Sequence, residues 1–361
     1  LKKRRQFLRD FEAGHSLDLF LLAAVTAVLG IRFALEVTGY PSLGGTRLHI
    51  AHMLWGGLLM MAAVVLALSY LGRRARRVAA LVGGFGFGTF IDELGKFVTR
   101  DNDYFYQPTV ALIYGTFVLL YLTIRSIHRE RIATREEYLV NALREFEEVA
   151  VGDLSRDERD RAIHYLQESD PEDPLVDSLT RLLLRTDLVP AGPPNLLTRA
   201  KRTAFDFYRK VAALPGFTTA VVTFFVAQLV VKIAHVVALV FLVRTGRGGF
   251  LHVPLIAPLR WGQGSQPLVD WAQLGSSLLS GVFVALGVVA IRRSRLVAFR
   301  MFQRSILVSI FLTQVFIFYR EQWSALLGLG FNIAVFLGLR FMIERERESA
   351  WQERTTVPDR A

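Results

Sequence analysis

The chain has 361 residues, of which 52% are hydrophobic and 21% charged, with a formal net charge of +11. Apolar bulk and charge on this scale must be segregated, and they are: apolar runs of about 20 residues, long enough to cross a hydrocarbon layer of roughly 30 Å, alternate with arginine-bearing connections. The basic residues flank the runs, as anionic lipid and the positive-inside bias require. This excludes nucleic acid as a partner and implies the lipid bilayer. With no cysteine, disulfides, thiolate metal sites and a cysteine nucleophile are excluded, so any metal must use His, Asp or Glu.

The first run, Leu17 to Val37, follows Lys2, Lys3, Arg4 and Arg5. It is too long for a signal-peptide core and has no small-residue cleavage site, so it reads as a span. Leu48 to Leu71, Val78 to Val98 and Thr109 to Ile127 complete a first set of four. A polar stretch, Arg129 to Leu214, then carries helical rather than disordered patterning. Tyr138, Leu139, Ala142, Phe146 and Val149 recur at helical spacing, Ser155 with Glu158 has the form of a capping box, and Leu175 to Leu184 resumes the helix beyond Pro171 and Pro174. Leu196 to Leu214 mixes Arg and Lys with Phe and Tyr, as a helix lying on a membrane surface does. Phe217 to Val243, Leu268 to Ile291, Phe299 to Tyr319 and Leu326 to Ile343 form a second set of four spans.

Basic connections fall alternately: Lys2 to Arg5, Arg73 to Arg77, Arg125 to Arg135, Arg292 to Arg295 and Arg340 to Arg347 share one side. Positive-inside places that side, and both termini, in the cytoplasm. The expected architecture is an all-α polytopic membrane protein of about eight transmembrane helices, arranged as two parallel four-helix repeats with a cytoplasmic helical insert. Residues 1–128 form the first half, 129–214 the insert, 215–345 the second half and 346–361 a cytoplasmic tail. The repeat rests on an offset of 221 positions, which lays Ala51 on Ala272, His52 on Gln273, Gly84 on Ser305, Gly88 on Ser309, Glu93 on Gln314 and Phe97 on Phe318. Polar positions also pair, His49 with Asp270 and Asp92 with Thr313.

A charge inside a bilayer costs at least about 2.5 kcal/mol, so each needs a partner, a cavity or a use. Arg32 and Glu36, His49 and His52, Asp92, Glu93 and Lys96, and Gln228, Lys232 and His235 all fall within spans. Counting about 1.5 Å per residue brings them to one level, in the outer third of the bilayer, which implies a shared outward-facing polar pocket of His52, Asp92, Glu93, Lys96, Lys232 and His235. Spacing also allows Arg32 with Glu36, and Asp92 with Lys96, to neutralise one another along their own helices. His52, Glu93 and His235 have no such local partner.

The run from His49 through Gly57 and the segment Phe90-Ile-Asp-Glu-Leu-Gly-Lys-Phe-Val-Thr-Arg-Asp-Asn-Asp-Tyr-Phe-Tyr106 resemble a family of uncharacterised bacterial polytopic integral membrane proteins, a likeness concentrated in the first four spans. That resemblance implies the bacterial inner membrane and carries no activity. The histidine pattern differs from that of the intramembrane zinc hydrolases of the ceramidase and progestin-receptor type, since His49 and His52 stand three apart at a span's start, with no late His-x-x-x-His.

Three functions fit the residues. Transport of a cation or small polar solute would use His52, Asp92, Glu93, Lys96 and His235, with protonation coupled to movement and with Ser280, Ser309, Thr313 and Asn332 continuing a path. A membrane-embedded enzyme would hold a divalent metal with His49, His52 and Glu93 or His235 and act on a lipid or envelope substrate. A receptor or assembly protein would couple the pocket to the insert. The residues leave open the solute, the metal, homo-oligomerisation and the cytoplasmic partner of the insert.

Overall fold

The computed structural model describes residues 8–38, 52–94, 106, 108–128, 133–170, 172–189, 199, 203, 206, 208–245 and 267–355. Among them helix is the only regular secondary structure, apart from turns. The helices are α1 (Ala13–Thr38), α2 (His52–Ser69), α3 (Arg73–Asp92), α4 (Pro108–His128), α5 (Arg135–Val151), α6 (Arg156–Glu168), α7 (Pro174–Arg185), α8 (Phe217–Thr245), α9 (Pro267–Ala290), α10 (Arg295–Val308), α11 (Gln314–Glu321) and α12 (Ala325–Thr355). Two compact units result: residues 1–106 with 116–194, and residues 107–115 with 195–361.

Among the described residues, six stretches are long and apolar enough to cross a membrane: Ala13–Thr38, His52–Ser69, Pro108–Ser126, Phe217–Ala234, Leu268–Ala290 and Arg295–Arg347. Their outer faces carry large exposed apolar side chains, among them Phe33, Trp55, Met61, Leu119, Val230 and Leu327. Patches of this extent are not tolerated in water, but they suit helices whose backbone is satisfied internally and whose surface faces lipid. The chain thus has the composition of a multi-pass membrane protein.

In the first unit α3 is the shared element. Its residues follow α1 in the same direction, with Gly84 against Phe20, Gly88 against Ala24 and Asp92 against Arg32. Helix α2 runs the opposite way, with Ala63 beside Gly83, Gly56 beside Gly86 and Phe90, and His52 beside Glu93. Glycine is what makes this possible: a Cβ at Gly84 would overlap the carbonyl oxygen of Phe20, and one at Gly88 that of Ala24. Backbones in such contact gain dispersion energy that apolar side chains alone cannot supply in lipid.

The insert helices α5 to α7 close on their own small core of Ala142, Leu154, Ala162, Leu166, Val176 and Leu183. Their boundaries are set by local chemistry. Thr134 with Glu137 and Ser155 with Glu158 form reciprocal capping boxes. Gly152 ends α5 in the left-handed conformation, and Asp173 caps α7 ahead of Pro174. The capping box read from Ser155 and Glu158 is thus present, and the resumed helix Leu175 to Leu184 falls inside α7.

In the second unit α8, α9, α10 and α12 surround a core of Phe225, Val284, Phe299, Phe302, Ile306, Leu339 and Met342, in which Phe225 and Phe302 stack with ring centroids 4.3 Å apart. Helix α10 passes into a five-residue π turn, Ser309–Thr313, before α11. The chain then reverses through Gln322–Ser324, where Gln322 takes φ 51°, a conformation few non-glycine residues adopt. Helix α12 returns antiparallel: Gln314 donates to the carbonyl of Ala325 (2.8 Å), and Arg295 meets Glu346 at the far end (4.0 Å).

Candidate functional site

Asp92 and Glu93 stand at the C-terminal end of α3, where the helix dipole already disfavours negative charge, and both side chains are fully buried. Each is compensated from a different helix. Arg32 of α1 grips Asp92 twice, Nε to the carboxylate (2.6 Å) and Nη2 to the backbone carbonyl (2.9 Å). Glu93 turns the other way, to the first turn of α2: one oxygen accepts the backbone N–H of Met53 (2.9 Å), and the other lies 3.3 Å from Nδ1 of His52. The positive end of α2 therefore faces the negative end of α3 through the carboxylate of Glu93. The His52 side chain stays part-exposed while Glu93 has no exposure.

At the opposite end of α3 lies a second polar centre. Arg73 is nearly fully buried, and its guanidinium meets Glu12, Glu145, Glu148 and Glu158. Arg161 adds a second cation to Glu12 and Glu145, each at 3.6 Å. The segment before α1 is fastened to α5 in the same region. Arg9 forms a forked pair with Glu137, Asn141 bridges the backbones of Phe11 and Arg9, and Arg144 pairs with Asp10. The hydrogen bond from Arg9 holds Glu137 well below the usual carboxylate range, at about 2. Burial pushes Glu145 up, against the pull of Arg73 and Arg161.

In the second unit, Lys232 of α8 donates to the carbonyl of Ser277 (3.1 Å) and to the hydroxyl of Ser280 (3.0 Å), both on α9. Ser280 in turn bonds Ser305 of α10 (2.9 Å) and Ser309 at the start of the π turn (3.1 Å). Ser280 and Ser305 are fully buried. The π turn leaves backbone groups outside the regular helical ladder, and Tyr114 donates to one of them, the carbonyl of Ile310 (2.6 Å). Four further buried oxygens of this unit, Oγ1 of Thr109 and Thr313 and Oε1 of Gln228 and Gln273, have no hydrogen-bond partner among the described residues.

Of the residues singled out in the sequence, His52, Asp92 and Glu93 are brought together in the first unit and Lys232 is set among serines in the second. His49 and Lys96 lie outside the described residues, and His235 belongs to α8 without a described side chain. Among the described residues no group of three His, Asp or Glu is placed to hold a metal, so of the set His49, His52 and Glu93 only the last two are seen together. Helical spacing alone offered Glu36 and Lys96 as the neutralising partners of Arg32 and Asp92. The contact described is between the helices, Arg32 with Asp92, and a contact of Asp92 with Lys96 lies outside the described residues. Sequence reasoning missed the Arg73 centre, although the acidic density of α5 and α6 opposite a basic turn was a visible signal. No protein-family model matches the chain, and neither the curated proteins nor the solved structures give a match.

Proposed function

We propose that the chain is an eight-span bacterial inner-membrane protein, with both termini cytoplasmic, that moves a cation or small polar solute with coupled protonation of Glu93. Two features support eight crossings where six stretches qualify by length and composition. Arg295–Arg347 is 53 residues long, roughly 80 Å of helix at 1.5 Å per residue, and reverses at Gln322–Ser324, so it counts twice. Helix α3, excluded by its leading arginines, is required by parity. Arg9 and Glu12 reach Glu137 and Glu158 through shared contacts, which puts an even number of crossings between them, and α1, α2 and α4 alone make three. The offset of 221 lays α2 on α9 and α3 on α10 with its π turn, in keeping with two related halves.

The observation that carries the transport reading is Glu93: a fully buried carboxylate at a helix junction, with an imidazole at 3.3 Å. Such a group exchanges protons only by changing its surroundings, which is what coupling needs. In proteoliposomes loaded with a pH-sensitive dye, an imposed sodium, potassium or amino-acid gradient is expected to change the internal pH with the wild type and not with Glu93→Gln. Equal responses from both proteins would remove the reading.

A second reading, a receptor or assembly protein, is favoured by the Arg73 centre, which ties the insert to the membrane end of α3. In that case Arg73→Gln would alter what the insert binds while leaving proteoliposome pH responses unchanged.

A further inference from the structure

Lys232 poses a charge-balance problem that the Glu93 site does not solve. Its described partners are a carbonyl and a hydroxyl, and no carboxylate among the described residues pairs with it. The described residues take up two of its three N–H groups. The hydroxyls beside it are ordered in a chain: Ser280, accepting from Lys232, can accept from one of Ser305 and Ser309 and donate to the other. One hydroxyl at the end of that chain thus keeps a donor polarised by the ammonium. Thr313 continues the row through the π turn, its oxygen buried and unpartnered. Extra helical turns of this kind recur where a helix has been opened for function.

We propose that Lys232, Ser280, Ser305, Ser309 and Thr313 form a binding site for a monoanionic oxyanion, a carboxylate or a phosphodiester. The sign follows from the single ammonium, and the class from the donors, which are hydroxyls and N–H groups that match oxygen acceptors. The valence follows from the charge: one negative charge brings the site to neutrality, whereas a phosphate dianion would leave an uncompensated charge between apolar helices. The level fits as well. Lys232 meets α9 at Ser277 and Ser280, near the midpoint of Pro267–Ala290, where membrane transport proteins commonly seat their substrates. The site goes beyond the proton-coupling role of Glu93 and does not depend on it, because its test reads binding rather than transport.

The test is thermal unfolding of the full chain in dodecyl maltoside micelles, which carry no phosphate or carboxylate, titrated with sodium acetate against sodium chloride at equal ionic strength. The wild type is expected to show a saturable rise in melting temperature with acetate, absent from Lys232→Met and retained in Lys232→Arg. A wild type that responds alike to both salts, or a Lys232→Met variant that responds to acetate as the wild type does, overturns the proposal. Should Lys232→Met fail to fold, the Ser305→Ala, Ser309→Ala double variant keeps the cation. Its acetate midpoint is expected to weaken about tenfold, and an unchanged midpoint overturns the proposal. Repeating the titration in the same micelles doped with phosphatidylglycerol separates the two sources. Loss of the acetate response there assigns the site to a lipid phosphodiester, and its persistence assigns the site to a solute carboxylate.

Discussion

Arg32 and Asp92 show how a charged pair is held among apolar helices. The guanidinium contacts both the side chain and the backbone of Asp92, so it neutralises the carboxylate and also takes up a carbonyl at the end of α3. Removing one partner leaves the other buried. Arg32→Met is therefore expected to lower stability by about 3–5 kcal/mol, and adding Asp92→Asn in the same chain should recover much of that loss in a double-mutant cycle of unfolding measurements. Residue spacing could not have found this pair, because i to i+4 reasoning sees only one helix, and the contact depends on how closely Gly88 lets α1 approach α3. Glu137 makes a prediction about pH. Its carboxyl is depressed by Arg9, so the stabilisation it confers is complete above the ordinary carboxylate range and is lost as pH falls toward about 2. The stability difference between wild type and Glu137→Gln should be flat near neutrality and shrink only in strong acid. Glu145 has the opposite sign: burial raises it, so the folded state takes up this proton ahead of the unfolded chain and the cost of burying the charge is relieved as pH falls.

At the scale of elements, each apolar run coincides with helix among the described residues, and the observed helices depart from the expected limits mainly at their ends. Helix α3 begins at Arg73 rather than Val78, and α12 runs on to Thr355 rather than ending near Ile343. Both extensions consist of charged residues that apolar counting discards, although arginine and glutamate are good helix formers. The π turn at Ser309–Thr313 could not be read in advance, because its cause is tertiary: it lies where Ser309 meets Ser280 and Tyr114 takes the carbonyl of Ile310. The junction of α1 with α3 offers a sharp test. Gly88→Ala places a carbon on the Ala24 carbonyl and is expected to cost about 1–3 kcal/mol by overpacking. Gly30→Ala, where nothing lies within 4 Å, should be tolerated. Comparable losses for both variants, measured by unfolding in nanodiscs, would mean that α1 does not pack on α3 through this face.

For the whole molecule, the decisive contacts are those that join residues far apart in the chain at one end of the first unit. They hold the segment before α1, the turn at Arg73 and the insert together, and the eight-span proposal predicts that Ser294 lies on the same side of the membrane. In a chain without native cysteine, Ser294→Cys is expected to resist a membrane-impermeant thiol reagent in intact cells and to react once the membrane is opened, whereas Asn102→Cys should react from outside. The acidic character of the insert was plain in the sequence, but its partner was hidden, because Arg73 looks like any other flanking arginine until Glu12, Glu145 and Glu158 are seen around it. This arrangement also bears on the order in which the protein is made. Arg73 and Glu12 leave the ribosome early, yet the carboxylates that complete their network lie 72 and 85 positions beyond Arg73. Until α6 has been translated, the young chain carries a cation whose burial is unfinished. Closure of the first unit therefore waits for the insert, and a nascent chain that stops short of Glu158 presents quality-control machinery with an exposed arginine in place of a finished end.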